Sequence, residues 1–571
     1  MSRVRFAFLG LVAVGMLLFP VGASAEHGSA DEASPNMLHV ANLPQPPEFT
    51  ACNRGSTACF NSDLAFWDAG AVKGGFTDMV AQGNYEGFRL IDVSRPEAPV
   101  QIRAVECRSN QGDLSFHQAE NRLLLIQSIE EPVTTPECET AIETGVAPGT
   151  HPITGLPGTF RVPGFEGLRI FDVTNPLNPV LVAAVPTACG SHTHTTIDDQ
   201  RNQRAIVYVS SYPTGARLTP QQGLGFGGPT CVPPHQRISI VEIPDKAPET
   251  ARVLKEQPLD ADTLPWRGSL FAGGTGAVGC HDITVYYDSQ AVPEARQSAK
   301  SHPEVAGAAC LEEGQLWDVS DPANPTTTGP MHSHIRNTAI STEGLFHTAS
   351  FTWDGEVVLF TDEFGGGGLS GCKGPQDPKG NVWFYDNAVP GTPVVPLYGR
   401  YMIPRVQPAS DICTLHNGNV IPTTDGYFGV SSAYEAGTSV FDFTGVESMA
   451  QIIDPVITPA EAAAVPLAAR EVAFYDAKAD GRGVDDAWST YWHNDYMWTS
   501  SGLQRPGQRG FDVYMLLGMH GRLVDDEGNP TVTAQNANRP NVQQFKARKF
   551  RYQNPQTQDT FQTVKGASQG G

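Results

Sequence analysis

One frame recurs along the chain: a short apolar-rich strand runs into an acidic residue, with prolines four and seven positions beyond it. It is clearest in Gly167–Val180, where Leu168-Arg169-Ile170-Phe171 ends at Asp172 and Pro176 and Pro179 follow. Asp92 (Pro96, Pro99), Asp318 (Pro322, Pro325) and Asp386 (Pro390, Pro393) repeat it, and looser copies sit at Glu242, Asp442 and Asp512. β-Branched and aromatic residues suit a pleated surface, and Asp, Ser and Asn side chains bond the backbone of a turn. Proline offers a ladder no N–H, so each copy reads as a strand with an abrupt stop. Successive copies lie 80, 70, 76, 68, 56 and 70 residues apart, so the chain reads as a repeat protein of seven units.

Each unit divides into four strands, A to D, with the frame as strand C. In the second unit these are Gly112–His117, Arg122–Ile129, Gly167–Val173 and Pro179–Val185. Seven four-stranded antiparallel units predict an all-β fold, a seven-bladed β-propeller over residues 37–522. Met37–Asn42 is placed to complete the last blade and close the ring. The B–C connections Glu130–Pro163, Pro213–Pro234 and Glu363–Gly380 are rich in Gly and Pro, and a later insertion holds a helix candidate at Pro459–Arg470. Residues 26–36 read as a linker, and the Gln/Asn-rich residues 523–571 as a polar, partly disordered tail.

Arg3 and Arg5, the apolar run Phe6–Val21 and Ala23-Ser24-Ala25 have the order of a cleaved secretory signal peptide, residues 1–25. No Cys follows the cleavage site directly, and no later stretch is apolar enough to cross a bilayer. The expectation is an exported chain with no membrane insertion. Without residues 1–25, 36 basic residues face 61 acidic ones, a net charge of −25, which disfavours nucleic acid as a partner. Ten cysteines, an even number, lie beyond the signal. In an exported chain they predict disulfides, and C-x-x-C is absent. Spacing leaves the connectivity open. The simplest pairing joins neighbours: Cys52–Cys59, Cys107–Cys138, Cys189–Cys231, Cys280–Cys310 and Cys372–Cys413.

Histidines are the candidate chemistry. His192, His281, His347 and His416 each open strand A of the third to sixth units, and an Asp follows seven residues after three of them. Strand A lines a propeller's axis, so these imidazoles converge, and neutral imidazole is the commonest ligand of Fe, Cu and Zn. The sequence predicts one transition metal held by the four, with open positions toward the first, second and seventh units. His194 alternates to the other strand face, and Asp63, Asp113 and Asp282 lie one position on. All four are candidates to orient the ligands from behind. His27, His151, His302, His332 and His334 read as solvated residues of loops or tails. G-x-S-x-G, H-E-x-x-H and a P-loop are absent.

Arg89-Leu-Ile-Asp-Val-Ser94 and Leu168-Arg-Ile-Phe-Asp-Val-Thr-Asn-Pro176 resemble LVIVD repeats of secreted bacterial β-propeller proteins. Asn61–Trp67, Asn84–Arg89, Cys189–Thr195, Gly279–Thr284 and Gly437–Phe443 resemble that family's actinobacterial members. The resemblance spans about residues 36–520 and implies the propeller and export, with no settled activity to carry over. Two function classes follow. One is a metalloprotein with chemistry on an unknown small molecule, in the oxidoreductase class. The other is an extracellular module that binds protein or glycan through its loop-rich face, its histidines structural.

Overall fold

A computed structural model describes residues 31–49, 60–68, 78–109, 111–133, 138, 149–150, 157–158, 165–212, 235–260, 279–289, 304–329, 332–337, 340, 344–364, 379–388, 390–405, 407–408, 411–423, 426–452, 459–477, 487–501, 509–517, 549–550, 552–560 and 563–564. The signal peptide, His27, His151 and His302 lie outside these residues, as do Cys52, Cys59, Cys231 and Cys372.

Seven antiparallel sheets form the blades of a β-propeller. From inner to outer strand, blade 1 is Asn61–Asp68, Asp78–Asn84, Gly87–Asp92 and Val100–Glu106. Blade 2 is Leu114–Ala119, Arg122–Val133, Phe165–Asp172 and Val180–Pro186; blade 3 is Thr193–Asp199, Arg204–Ser210, Arg237–Pro244 and Arg252–Pro258. Blade 4 is Asp282–Tyr287, Val305–Cys310, Glu313–Asp318 and His332–Ile335; blade 5 is Phe346–Phe351, Val357–Asp362, Val382–Asp386 and Leu397–Tyr401. Blade 6 is Gly418–Ile421, Phe428–Ser432, Thr438–Asp442 and Arg470–Asp476; blade 7 is Ala487–His493, Tyr496–Ser501, Arg509–Leu516 and, from the other end of the chain, Met37–Pro44. Every inner strand contacts the next one round, and the seventh contacts the first. The ring is therefore closed, with the N-terminal strand as its clasp.

The repeated frame is visible atom by atom. In blades 1, 2, 3, 5 and 6 the ladder between strands C and D shifts register at the two residues before the acidic one, as at Ile170/Phe171 before Asp172. The carboxylates of Asp92, Asp172, Asp318 and Asp442 then each accept the backbone N–H two residues on, at 2.9–3.0 Å. These are the turns that stop the strands. Gly167, where strand C of blade 2 begins to pair with strand D, has φ +134°, and a Cβ there would lie 2.2 Å from the carbonyl oxygen of Val185. Only glycine permits that approach.

The core lies between blades. Ile206, Tyr208 and Ile240 of blade 3, for example, pack on Ile283, Val285 and Trp317 of blade 4. Buried arginines link the seams. Arg89 of blade 1 donates to the carbonyls of Pro44 at 2.7 Å and Leu43 at 3.3 Å, fastening the clasp strand. Cys107–Cys138 and Cys280–Cys310 are bonded as neighbour pairing predicts, and Cys189 and Cys413 are also in disulfides.

Three details differ from the sequence reading. Glu32–Ala33, within the 26–36 linker, pairs with the outer strand of blade 6. The helix spans Pro459–Ala464 and not Pro459–Arg470, because Pro466 follows and Arg470 already begins a strand. The third difference is the larger one. Residues 552–560, within the 523–571 tail, run through the centre of the ring. Tyr552–Gln553 pairs with Phe66–Trp67 of blade 1, and Thr557–Asp559 runs parallel to Val285–Tyr287 of blade 4. Asn554 accepts from Phe116 N–H at 2.8 Å and donates to Phe116 C=O at 2.9 Å, completing that residue's hydrogen bonds in blade 2. Gln558 does the same for Phe351 of blade 5. Polar composition here serves backbone groups inside the channel, where it substitutes for water.

Candidate metal centre

His192, His281 and His416 occupy one ladder position. Their backbone N–H groups bond to the carbonyls of Ser210, Ala309 and Ser432, at 2.9, 2.8 and 2.9 Å, where strand B of each blade ends. In blade 5 a register shift between Phe346 and Ala349 accompanies His347. The four buried rings follow one another round the axis, with successive centroids 4.2, 4.1 and 4.1 Å apart. The structure thus brings together all four histidines singled out in the sequence.

Their orientation is held from outside. His192 Nδ1 lies 2.9 Å from Glu130 Oε1, His281 Nδ1 lies 3.1 Å from the carbonyl of His347, and His416 Nδ1 lies 2.5 Å from the carbonyl of Trp488. These partners only accept, so each Nδ1 carries the proton, and each Nε2 keeps its lone pair. The Nε2 atoms turn inward, and those of His192 and His281 are 2.9 Å apart. Two ligands on one ion at about 2.05 Å and about 90° have that separation. Gln111 Nε2 also lies 2.9 Å from His192 Nε2, in a position to donate to its lone pair.

Two acidic and two phenolic residues complete the centre, and the sequence reading did not find them. Glu363 Oε1 lies 3.4 Å from His416 Nε2, and Oε2 lies 3.9 Å from His347 Nε2 and 4.0 Å from His281 Nε2. One donor atom each from His281, His347 and Glu363 falls within a 4.8 Å group able to hold a metal ion. Tyr434 donates its hydroxyl to Glu363, and Tyr212 OH lies 3.3 Å from His192 Nδ1. Tyr212, Glu363 and Tyr434 stand one or two residues beyond the end of a strand B, and Glu130 three residues before the end of one. In an antiparallel pair, that end faces the start of strand A, so aligning the B ends would have revealed them.

Burial pushes the imidazoles of His281 and His347 well below the usual range, and the neighbouring histidines add to the effect. The neutral form that ligates metals is therefore favoured.

Asp63, Asp113, Asp282 and His194 take other roles than the ones expected. Asp282 accepts from Thr348 Oγ1 at 2.7 Å and Thr193 Oγ1 at 3.1 Å. Asp113 accepts the backbone N–H of His194 at 2.7 Å, and the His194 ring lies among Ser115, Ser128 and Asp113. Gln556 of the central segment lies 3.1 Å from both Asp63 and Asp113. None of these carboxylates bonds the four imidazoles. They form a separate layer because the next position on strand A faces its neighbouring inner strands and the central segment. Burial first, and Asp113 second, raise Asp63 well above the carboxylate range and Asp282 to about 7.

Access follows from where the central segment binds. It bonds at Phe66–Trp67, Phe116, Thr196, Val285–Tyr287 and Phe351, toward the far ends of the inner strands. The imidazoles stand at the opposite ends. The axis is thus filled on one side of the disc, and the histidines face the side where the B–C connections leave.

No family model and no curated protein matches the chain. Similar solved structures include a putative 6-phosphogluconolactonase from Bacteroides uniformis, 9% identical over 78% of this chain and 89% of that one, TM-score 0.39. The β-propeller domain of Cps50 (Swd1) from Myceliophteria thermophila is 10% identical over 80% and 96%, TM-score 0.37. A functionally unknown protein from Desulfotomaculum acetoxidans is 10% identical over 72% and 88%, TM-score 0.35. Likeness at this level carries no functional argument, and the fold rests on the sheets themselves. These define a seven-bladed propeller with a cluster of buried histidines at its axis. Among the described residues no helix is long and apolar enough to cross a membrane.

Proposed function

We propose that this chain is an exported, LVIVD-type propeller that binds one transition metal ion through His192, His281, His347 and His416, with Glu363 as further ligand or counter-charge. One observation carries the reading. Three of the four imidazoles have Nδ1 at a carboxylate or carbonyl acceptor, which leaves Nε2 as the ligating atom, and donor atoms of His281, His347 and Glu363 lie within 4.8 Å of one another. This is how metal-ligating histidines are commonly held. An imidazole-rich shell suits Fe, Cu or Zn better than Ca or Mg. The disulfides Cys107–Cys138 and Cys280–Cys310 support an oxidising compartment.

When bound, Fe or Cu would supply one-electron chemistry, and the class of activity we assign is metal-dependent oxidoreduction of a small molecule. The chain's own residues orient the ligands, keep His281 and His347 neutral, and close the axis at the far end. The alternative, a protein- or glycan-binding face, requires a broad apolar patch on the loops. The large exposed apolar side chains among the described residues, Leu38, Val100, Leu177, Val180 and Leu467, lie on outer strands, turns and a loop of blades 1, 2, 6 and 7, and the long B–C connections lie outside the described residues. Metal analysis of untagged protein tests the proposal. One axial equivalent of Fe, Cu or Zn is expected: His281→Ala and His347→Ala should each hold one equivalent less than the wild type while the far-ultraviolet spectrum is kept. Protein that neither retains nor takes up these metals at micromolar concentration would overturn it.

A further inference from the structure

His332 and His334 do not lie in a loop, as their sequence context suggested. They stand two residues apart on the outer strand of blade 4, His332–Ile335, and so share one face of it. Their Nε2 atoms are 2.9 Å apart, and the rings meet edge to face with centroids 4.5 Å apart. Each ring is anchored by its other nitrogen. His332 Nδ1 lies 2.6 Å from the carbonyl oxygen of Gly329, and His334 Nδ1 lies 2.9 Å from Oε2 of the fully buried Glu313. Both anchors accept hydrogen bonds, which places the proton on Nδ1 in each ring and a lone pair on each Nε2.

Two lone pairs facing each other at 2.9 Å repel unless a cation lies between them. A carboxylate lies near them: Asp260 Oδ2, on a side chain 48% exposed, is 3.8 Å from His332 Nε2 and accepts the Gly329 N–H at 3.5 Å. Asp260 itself is set in place by backbone bonds across the seam between blades 3 and 4. Its N–H donates to Thr327 C=O at 3.1 Å, and its carbonyl accepts from Gln315 Nε2 at 3.0 Å.

We propose that His332, His334 and Asp260 form a second transition-metal site on the rim of the propeller, independent of the axial one. Two imidazoles at right angles about an ion, with about 2.05 Å bonds, reproduce the observed nitrogen separation, and the carboxylate supplies a third ligand. Glu313 and the Gly329 carbonyl occupy the places of the outer partners that fix metal-bound imidazoles. The ligand class is Zn(II), Ni(II) or Cu(II), for which two imidazoles and a carboxylate are suited. The bland alternative is a proton shared between the rings. The rim site lies three strand spacings from the inner strand, about 14 Å, so the two sites bind separately.

The test uses the whole chain, stripped by chelation and titrated with Zn(II) by calorimetry and with Co(II) by visible absorption. The wild type is expected to show two classes of site. Asp260→Asn, a half-exposed change that leaves the fold intact, should weaken one class at least tenfold and change the Co(II) spectrum. His334→Ala should remove the same class, and His347→Ala should leave it in place. Retention of both classes in Asp260→Asn and His334→Ala would overturn the proposal. So would a single class that disappears in His347→Ala, and so would a wild type whose rim histidines take up a proton and no Zn(II) or Co(II).

Discussion

Replacing Asn554 by alanine tests whether the central segment is part of the folded ring. Its side chain makes two hydrogen bonds to one residue, accepting from Phe116 N–H and donating to Phe116 C=O at 2.8 and 2.9 Å. Phe116 is fully buried and Asn554 is 3% exposed. Truncation leaves a buried donor and a buried acceptor, each at a cost of about 1–3 kcal/mol, so the pair predicts about 2–6 kcal/mol. A water molecule entering the space would bring this to the lower half, about 2–4 kcal/mol. Gln558→Ala should cost a similar amount through Phe351, and the two losses should add, since the residues serve different blades. The assay is urea denaturation, comparing midpoints at constant m-value, with Gln118→Ala as a control. Among the described residues Gln118 bonds the turn at Glu120 and Arg122, and its loss should stay within about 0.5 kcal/mol. If Asn554→Ala also stayed within about 0.5 kcal/mol, the segment would be a dispensable tail and the argument for a filled axis would fail.

Three further outcomes follow from the same geometry. Glu130→Ala removes the acceptor on His192 Nδ1 and should weaken metal binding about 10–100-fold, and Glu130→Gln, which keeps an acceptor oxygen, should recover part of it, both measured by competitive chelator titration. Replacing Cys280 and Cys310 by serine opens a link of 30 residues and should cost about 3–4 kcal/mol, with faster metal loss because Cys280 adjoins His281, as read by thermal unfolding and by dissociation rate. Burial raises the Glu304 carboxyl to about 9, so between about pH 4.5 and 9 the folded chain holds a proton that the unfolded chain has released. Its contribution to stability is intact below that window and falls by up to about 1.4 kcal/mol per pH unit across it, and Glu304→Gln should flatten this slope in denaturation curves taken at several pH values.

The parts of the fold that were legible in the sequence are those governed by local chemistry. An Asp that bonds the N–H two residues on, a glycine that admits a facing carbonyl, and prolines that end a ladder act within a few residues, so Asp172, Gly167 and Pro176 declare a strand end without help from elsewhere. The histidines were legible because each opens the first strand of its unit, and the ring multiplies that coincidence by four. Glu130 and Glu363 were not, since they lie near the ends of strands that run into insertions of unequal length, where positional comparison between units is lost. Gln556 and Asn554 were misleading for another reason. A run of amides reads as solvated, but amides equally satisfy the exposed backbone of inner strands, and only the closed ring supplies such backbone. His332 and His334 belong to the outermost strand of blade 4, which lacks a strong pattern of its own.

The placement of the outer anchors also bears on how the centre is reached. The imidazoles are fixed by groups that belong to the ring: an acid near the end of one strand B and the carbonyls of two inner strands. The B–C insertions begin within a few residues of the centre, since residue 134 follows closely on Glu130, residue 213 directly on Tyr212 and residue 365 two positions after Glu363. With the far side of the axis filled by residues 552–560, a molecule that reaches the four imidazoles must pass the side from which these connections leave. The blades hold the four imidazoles in an arc, and residues 552–560 close one side of it, so both features are set by the ring and not by any single blade.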